Sequence, residues 1–571
     1  MMHSPKKPRS WYFTIGLWAI ALFGWVSPPA LAQSGWAREY PPEGETVPDP
    51  MDDLGSLEPA DGKWLKDEEG REYFVKKLRK QKRAYQWIDA EQTKIRYKKW
   101  YTFTVVKTDP EYLYLKIYRP APVEDLAAAR AEAAAADEAH AAAIAETYRP
   151  QVGQSDRLTF APFDRGLPKR GMWRNGLDVA DINGDGNLDI IHGPARKGAL
   201  IPRIFLGNGA GEWHQWSEAR YPKAPYDYGD AAAADFNGDG LMDLAFGFHL
   251  RGVLVLIQEA PGRFRSWSEG LDLQIPGEGD DASGFSTREL EIADWNSDGR
   301  PDIIALGEGP RPAGSLDGKK RGILTSMAYG GLVYLNHGDG TWERLDKGLV
   351  HQGVFGDSLA LGDFDGNGRL DFLTSSNVLD RRDLLNLGTP GSSEWSREEL
   401  DLFRPTALVQ AVAAGDFNSD GRTDMALAFA SWEMKIWRTG LDVILSGEKG
   451  TWTRTTLSAE EGRRSLWAMD EGDVDGDGKL DLVASTGDGE VWIFLGNGAG
   501  GFDRESSPEI ASPRGCRGYD VLLVDIDKDG RDEIVASFAG EGSALPLPEF
   551  PVACRSGGEI AIWRPEPKKT P

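Results

Sequence analysis

From about residue 158 onward the chain repeats one order of apolar and polar positions: small residues, a polar loop, a short apolar strand, a second strand and a glycine turn. Small residues precede the loop at Ala231 to Ala234 and at Ala411 to Gly415. Apolar runs follow it at Leu188 to Ile191, Leu244 to Phe246 and Leu482 to Ala484. The later strand ends in a glycine turn and an aromatic: Leu206-Gly207-Asn208-Gly209 before Trp213, Leu335-Asn336-His337-Gly338 before Trp342, Leu495-Gly496-Asn497-Gly498 before Phe502. Short apolar runs between glycine-rich turns predict β-strands, and small side chains suit the strand nearest a crowded axis.

The polar loop has a nine-residue pattern, acidic at 1, Asp or Asn at 3 and 5, Gly at 6 and acidic at 9, and it occurs seven times. With position 7 included, the first two copies are Asp181, Asn183, Asp185, Asn187, Asp189 and Asp235, Asn237, Asp239, Leu241, Asp243. The third and fourth are Asp294, Asn296, Asp298, Arg300, Asp302 and Asp363, Asp365, Asn367, Arg369, Asp371. The fifth and sixth are Asp416, Asn418, Asp420, Arg422, Asp424 and Asp473, Asp475, Asp477, Lys479, Asp481. The last is Asp525, Asp527, Asp529, Arg531, Glu533. Their starts lie 54, 59, 69, 53, 57 and 52 residues apart. One such loop is an ordinary Asp-Gly turn as readily as a metal site, but in-phase recurrence marks a repeat architecture.

Alternate side chains at 1, 3 and 5 converge if the chain curls around a point, and glycine at 6 permits the turn. The carbonyl at 7 and the carboxylate at 9 complete a shell of hard oxygens, which selects Ca²⁺ or Mg²⁺ over zinc and, in a flexible loop, Ca²⁺. Arg or Lys at position 7 is tolerated by a backbone ligand. An EF-hand needs Glu at position 12, where this chain has His192, Phe246, Ala305, Thr374, Leu427, Ala484 and Ala536. Up to seven Ca²⁺ are therefore expected.

Four strands per repeat make one blade, and seven blades close without exposed edges. The expected fold is all-β, a seven-bladed β-propeller with calcium loops over residues 151–571. At this point the residues resemble the FG-GAP/VCBS repeats, including the integrin α-subunit propeller and seven-bladed lectins, over roughly residues 158 to 564. The departures are Asn367 at position 5 and Glu533 at position 9, so loop four is expected to bind more weakly than loop six. The resemblance implies Ca²⁺ in the loop between the first two strands of each blade, with ligands engaged by other loops.

After Asp525 only two more strands fit, near Glu533 to Ser537 and Glu559 to Trp563. Leu158 to Phe163, followed by Asp164-Arg165-Gly166-Leu167, parallels Thr341 to Leu345 followed by Asp346-Lys347-Gly348-Leu349. The earlier segment is thus expected to dock as the missing outer strand of the last blade. Cys516 and Cys554 are the chain's two cysteines, and in an exported protein they read as a disulfide, the alternative being two buried thiols.

The amino-terminal part breaks the pattern. Residues 1–32 carry Lys6, Lys7 and Arg9, an apolar run from Trp11 to Val26 and Ala30-Leu31-Ala32, which reads as a signal peptide cut before Gln33. The alternative, an uncleaved anchor, has fewer apolar residues than the roughly 20 a spanning helix needs. The mature chain then carries no membrane span and is expected in the periplasm, at the cell surface or secreted. Residues 33–60 form a Pro-rich acidic linker. Residues 61–120, with 16 Lys+Arg against 9 Asp+Glu, read as a small basic β domain, open or closed into a barrel. Its stretch with Tyr97, Trp100 and Tyr101 among Lys94, Arg96, Lys98 and Lys99 is either a face for an anionic polymer or a solvated or docking surface. Residues 121–150 form an Ala-rich helical spacer with 14 alanines between 121 and 145.

Composition sharpens this in one respect. The formal charge of −25 disfavours nucleic acid, yet 23 carboxylates sit at positions 1, 3, 5 and 9 of the loops, so the acidity is local. The few histidines, among them His192, His249, His337 and His351, lack any triad or metal spacing and read as structural. Trp213, Trp342 and Trp452 recur at equivalent outer strands. Ligand contacts are sought in the long loops 217–229, with Tyr221, Tyr226 and Tyr228, 307–331 and 538–558. The favoured function is a monomeric, non-catalytic calcium-binding module for adhesion to or recognition of a protein or glycan. The alternatives are a polysaccharide lyase or hydrolase built on the propeller, and a purely structural module presenting the basic domain.

Overall fold

The computed structural model describes residues 63–118 apart from 80–84, 88–93 and 98–100, and residues 138–568 apart from 140, 175, 196–200, 250, 274–285, 309–329, 346–355, 378–383, 389–394, 399, 401–402, 405, 434–435, 463–464, 513–515, 540–553 and 555–556. The signal peptide, the acidic linker, most of the alanine-rich stretch, His351 and much of the loops 307–331 and 538–558 lie outside the described residues. Among the described residues no helix is long and apolar enough to cross a membrane. The chain divides into two units, Met1–Thr147 and Tyr148–Pro571.

The first unit holds one antiparallel sheet of six strands, in the order Leu65–Lys66, Glu72–Arg79, Tyr112–Tyr118, Tyr101–Thr108, Lys94–Tyr97, Tyr85–Trp87. Phe74, Phe103, Leu113, Leu115 and Ile117 are buried. Among the described residues no pairing joins the two edge strands, so the sheet is open and the barrel alternative is not met. Lysines of this basic unit lie over tyrosine rings of the same sheet, Lys77 3.8 Å from the Tyr112 ring centre and Lys116 4.2 Å from that of Tyr73. Part of its charge is thus spent on internal cation–π contacts. Of the spacer, residues 138–139 and 141–147 are helical.

The described part of the second unit is a succession of seven antiparallel sheets, numbered here one to seven in chain order. Sheet one contains Leu177–Ala180, Asp189–His192, Arg203–Gly207 and Trp213–Gln215. Sheet two contains Gly229–Ala234, Asp243–Phe248, Gly252–Ala260 and Arg263–Ser266. Sheet three contains Ser286–Ala293, Asp302–Glu308, Gly330–Asn336 and Trp342–Leu345. Sheet four contains Leu359–Gly362, Asp371–Thr374, Leu385–Gly388 and Trp395–Glu398. Sheet five contains Ala407–Gly415, Asp424–Glu433, Ile436–Ser446 and Trp452–Glu461. Sheet six begins with Leu466–Gly472, Asp481–Thr486, Val491–Gly496 and Phe502–Glu505, and sheet seven with Arg517–Val524, Glu533–Ala539 and Glu559–Pro567.

The first strand of each sheet touches that of the next, and the first strand of sheet seven touches that of sheet one. Apolar side chains fill the spaces between neighbouring sheets. The last of these clusters, with Ile190, Phe205, Ile526, Val535 and Ile560, joins sheet seven to sheet one.

The segment 148–162 straps three sheets together. Tyr148 donates a 2.7 Å hydrogen bond from its hydroxyl to Ser431, and its ring faces Arg404, whose guanidinium makes a buried two-pronged pair with Asp442 at 2.6 and 2.7 Å. Gly153–Ser155 then pairs in parallel with Phe502–Glu505 as a fifth strand of sheet six, an addition the sequence did not suggest. Leu158–Pro162 pairs antiparallel with Glu559–Pro567 and completes sheet seven, as the ends of the chain implied. The Glu505 carboxylate joins the two strands by accepting the backbone N–H groups of Arg157 and Leu158. A disulfide links Cys516 to Cys554 with the Cα atoms 5.0 Å apart, holding the start of the first strand of sheet seven to the approach to its third.

Candidate metal loops and inner-strand carboxylates

Each polar loop connects the first and second strands of its sheet, and in all seven the carboxylate at position 1 organises the turn. One of its oxygens accepts the N–H of residue 5 at 2.9–3.1 Å. The other accepts the N–H of the glycine at position 6 at 2.7–3.0 Å. Residues 4 and 6 both have positive φ; position 4 is glycine in four loops and Ser297, Ser419 and Lys528 in the others. The side chain at position 1 replaces the missing backbone partners of a tight turn, which is why a short carboxylate is needed there.

The carboxylate at position 9 opens the second strand and is fully buried in every loop. One oxygen accepts the N–H of residue 2 at 2.7–3.1 Å. In loops one to six the other accepts an N–H at or near the end of the third strand, as Asp481 does from Gly496 at 2.7 Å. Burial raises these carboxyls, Asp189, Asp243, Asp371 and Glu533 to about 7, Asp302 and Asp424 to about 6 and Asp481 to about 8, against the lowering effect of the donated hydrogen bonds.

Carboxylate oxygens from positions 1, 3 and 9 lie within 4.8 Å of one another in three loops: Asp363, Asp365, Asp371; Asp473, Asp475, Asp481; and Asp525, Asp527, Glu533. Two of these groups contain a buried oxygen with no hydrogen-bond partner, Asp475 Oδ1 and Glu533 Oε1. Converging anionic oxygens with orphaned lone pairs suit a cation, so these residues fit a hard metal ion. In loops one, two, three and five, position 3 is Asn, which donates to the carboxylate at position 5 at 2.9–3.0 Å. Position 5 stands apart from the converging groups: Asp298, Asp420 and Asp529 pair with the side chains of Arg300, Arg422 and Arg531, and Asp477 with Lys479 at 2.6 Å. The basic side chain at position 7 therefore has a use of its own.

The long loop 217–229 spends its tyrosines on packing. Tyr221 stacks on Phe264 with ring centres 5.3 Å apart, and Tyr226 meets Phe248 edge-on while donating to the Pro222 carbonyl. Tyr228 is buried and stacks on His249. His192 is sealed against Trp173 and burial lowers its pKa to about 4, which keeps the ring neutral. Trp213 and Trp342 are buried and donate from the indole N–H to the carbonyls of Phe163 and Trp267.

Sequence reasoning missed a second set of acids. On the first strands, Asp178, Glu291 and Asp470 lie three residues before a loop, and Asp230, Glu289 and Asp520 five before. Four of them link neighbouring first strands by accepting a backbone N–H of the next sheet: Asp178 from Ala233 at 2.6 Å, Asp230 from Leu290 at 2.7 Å, Asp470 from Leu523 at 2.7 Å and Asp520 from Leu177 at 3.0 Å. The Asp520 bond joins sheet seven back to sheet one. Ser358 and Gln410 make the corresponding links to Val412 and Leu466. The recurring acid two and four positions inside the small-residue strand was the available signal.

The model of the FG-GAP-like repeat matches residues 196–246, 317–374 and 473–536, stretches that contain loops two, four, six and seven. Among curated proteins none matches the chain. Solved structures to which the chain shows a likeness include the crystal structure of BBS1N in complex with ARL6DN soaked with lead, at 10% identity and a TM-score of 0.39, covering 72% of this chain and 98% of that one. The same complex soaked with mercury has a TM-score of 0.40 at 10% identity and the same coverage. Over the three matched segments the chain carries FG-GAP-like repeats, and the same loop pattern and strand order recur in the sheets outside them.

Proposed function

We propose that residues 151–571 form a closed seven-bladed β-propeller, stabilised by Ca²⁺ in its loops, that serves an exported protein as a non-catalytic recognition module for a protein or glycan. The observation that carries this reading is the single hydrogen-bond scheme shared by all seven loops, with orphaned carboxylate oxygens at Asp475 and Glu533. The circuit of touching first strands and the strap 148–162 support closure.

Asp363, Asp365 and Asp371, Asp473, Asp475 and Asp481, and Asp525, Asp527 and Glu533 would hold the ions, and the Asn-bearing loops would hold theirs with an amide oxygen at position 3. Bound Ca²⁺ supplies positive charge that offsets the converging carboxylates and ties each loop to its second strand. The protein's own residues do the remaining work: position 1 sets the turn, and in loops one to six position 9 anchors it to the third strand. Because every loop carries the same frame, the module offers a rigid rim on which irregular loops vary without disturbing the fold.

The test uses the mature chain. Melting should fall with chelator and recover with Ca²⁺, and metal analysis should find at least about four bound ions per chain. A glycan and protein binding screen with and without Ca²⁺, run beside an activity screen on polysaccharides, examines recognition. Binding without product release is the expected outcome; cleavage of any polymer overturns the non-catalytic reading.

A further inference from the structure

A cavity of about 200 Å³ opens among the first strands of sheets three to seven. Its wall includes Glu289, Glu291, Asp470 and Asp520, together with Trp467 and Tyr519, and among the described residues no Lys, Arg or His lines it. Glu289 and Glu291 are half-buried, and among the described residues neither accepts a hydrogen bond from any donor. Their surroundings are anionic: Glu291 feels Asp470, Asp178 and Asp520, and Glu289 feels Asp230, Asp520, Glu291 and Asp357. Burial first and these neighbours second push the Glu289 carboxyl well up and Glu291 to about 8. Several enclosed carboxyls without a counter-charge are costly unless a proton or a cation shares the space.

A second observation points to a ligand. Tyr519 is only 6% exposed, and its hydroxyl is buried with no hydrogen-bond partner. The indole N–H of Trp467, on the same wall, is likewise buried without an acceptor. Both residues are the extra residue of a β-bulge in a first strand, between Gly518 and Asp520 and between Leu466 and Ala468. A bulge re-aims a side chain, and here the two rings stack on each other with centres 6.5 Å apart. Arg174 and Arg517 lie over the Tyr519 ring at 5.1 and 5.8 Å, outside the cavity lining.

The kind of cation follows from spacing. Among the described residues, three carboxylates with oxygens within 4.8 Å of one another occur in the polar loops and not along this cavity. A bare metal ion needs such convergence. Carboxylates spread along a wall suit a cation whose charges are themselves spread along a chain. The volume equals about seven waters at roughly 30 Å³ each, the size of a short aliphatic diamine. We infer that this cavity binds an organic polycation of the diamine or polyamine class, its ammonium groups held by Glu289 and Glu291 and its chain lying against Trp467 and Tyr519. The Tyr519 hydroxyl then accepts from an ammonium group. This inference does not rest on Ca²⁺ occupancy of the loops.

The test is calorimetric titration of the mature chain at pH 8 with spermidine and with putrescine, in saturating Ca²⁺ so that the loops are satisfied throughout. The expected result is one polyamine per chain, a raised melting temperature, at least about tenfold weaker binding in the Glu289→Gln/Glu291→Gln double variant, and a several-fold loss in Tyr519→Phe. Mg²⁺ should not displace spermidine at equal concentration. No binding at millimolar polyamine, unchanged affinity in the double variant, or displacement by equimolar Mg²⁺ would overturn it, the last in favour of a hydrated metal ion. If the double variant does not fold, Tyr519→Phe and the Mg²⁺ competition on the unaltered protein decide. Since Ca²⁺ is held constant, a negative result here leaves the loop reading standing, and loss of Ca²⁺ binding leaves this one standing.

Discussion

Asp481 in a polar loop and Glu291 on an inner strand are carboxyls raised by burial to the same value, about 8, in opposite settings. Asp481 is sealed from water, and its two oxygens accept the N–H groups of Val474 and Gly496. Glu291 is reached by water, accepts from no donor among the described residues and faces other carboxylates. The first group is pinned by the backbone from two sides in addition to its place among the loop's converging carboxylates; the second has no such donors and is charge held in reserve for something that is not part of the chain. A raised pKa alone therefore does not distinguish a structural acid from a binding one. The donors around it do.

The largest effect should come from removing the pin. Asp481→Ala leaves two buried N–H groups without acceptors, at about 1–3 kcal/mol each, so urea unfolding in the presence of chelator, where no bound ion contributes, should show a loss of roughly 2–6 kcal/mol. Glu291→Ala, with no donor to orphan, should lose far less or gain. Equal losses would erase the distinction between the regions.

Next in size is Asp520→Ala. This inner-strand acid combines both roles: it lines the cavity, and it accepts the N–H groups of Leu177 and Val521. The Leu177 bond joins sheet seven to sheet one, and losing it should cost about 1–3 kcal/mol in the same unfolding measurement. Asp520→Asn keeps one acceptor oxygen and should retain most of the stability. If Asn is as damaging as Ala, charge rather than the link is what matters at this position.

Much of this comparison was legible in the sequence on one side only. The loops were visible because a turn of positive φ around a carboxylate constrains five positions at fixed spacing, and the docking of Leu158–Pro162 could be counted from a missing strand. The strap strand Gly153–Ser155 was not visible, because Gly-Gln-Ser has no alternation and forms by pairing with an existing edge. The inner acids were hidden by the small residues around them, since a strand reading Ala-Ala-Gly predicts crowding rather than a charged cavity. Tyr519 and Trp467 owe their direction to bulges, which shift the face a residue occupies and break the alternation a sequence argument relies on. The tyrosines of 217–229 looked like ligand contacts because the loop was long, but length alone does not reveal that Phe264 and Phe248 cover them.

The inner acids also predict a pH dependence. In the unfolded chain a Glu or Asp carboxyl titrates near 4, whereas folding raises Asp178 and Asp520 to about 6 and Glu291 to about 8. Between those values the native state holds protons that the unfolded state has lost, so stability falls as pH rises. Melting of the Ca²⁺-saturated chain, followed without polyamine, should therefore drop by several degrees from pH 5 to pH 8. Glu291→Gln should flatten the upper part of that slope, raising the melting temperature at pH 8 and leaving it unchanged at pH 5. A slope that is unaltered in the variant would move the protons elsewhere.

The smallest effect tests the loops from their outer side. Arg422 pairs with Asp420, but the two side chains are 40% and 26% exposed, so water and salt screen the attraction and the expected value is below about 1 kcal/mol. Arg422→Ala should leave unfolding free energy within that range, because Asp416 and Asp424 hold the turn through backbone N–H groups that the substitution does not touch. It also removes a positive charge that competes for Asp420, so Ca²⁺ affinity should hold or rise in direct titration. A stability loss above about 1 kcal/mol would make the position 7 side chain part of the loop's frame, and loop five would then depend on an ion pair at the surface as well as on the buried acid behind it.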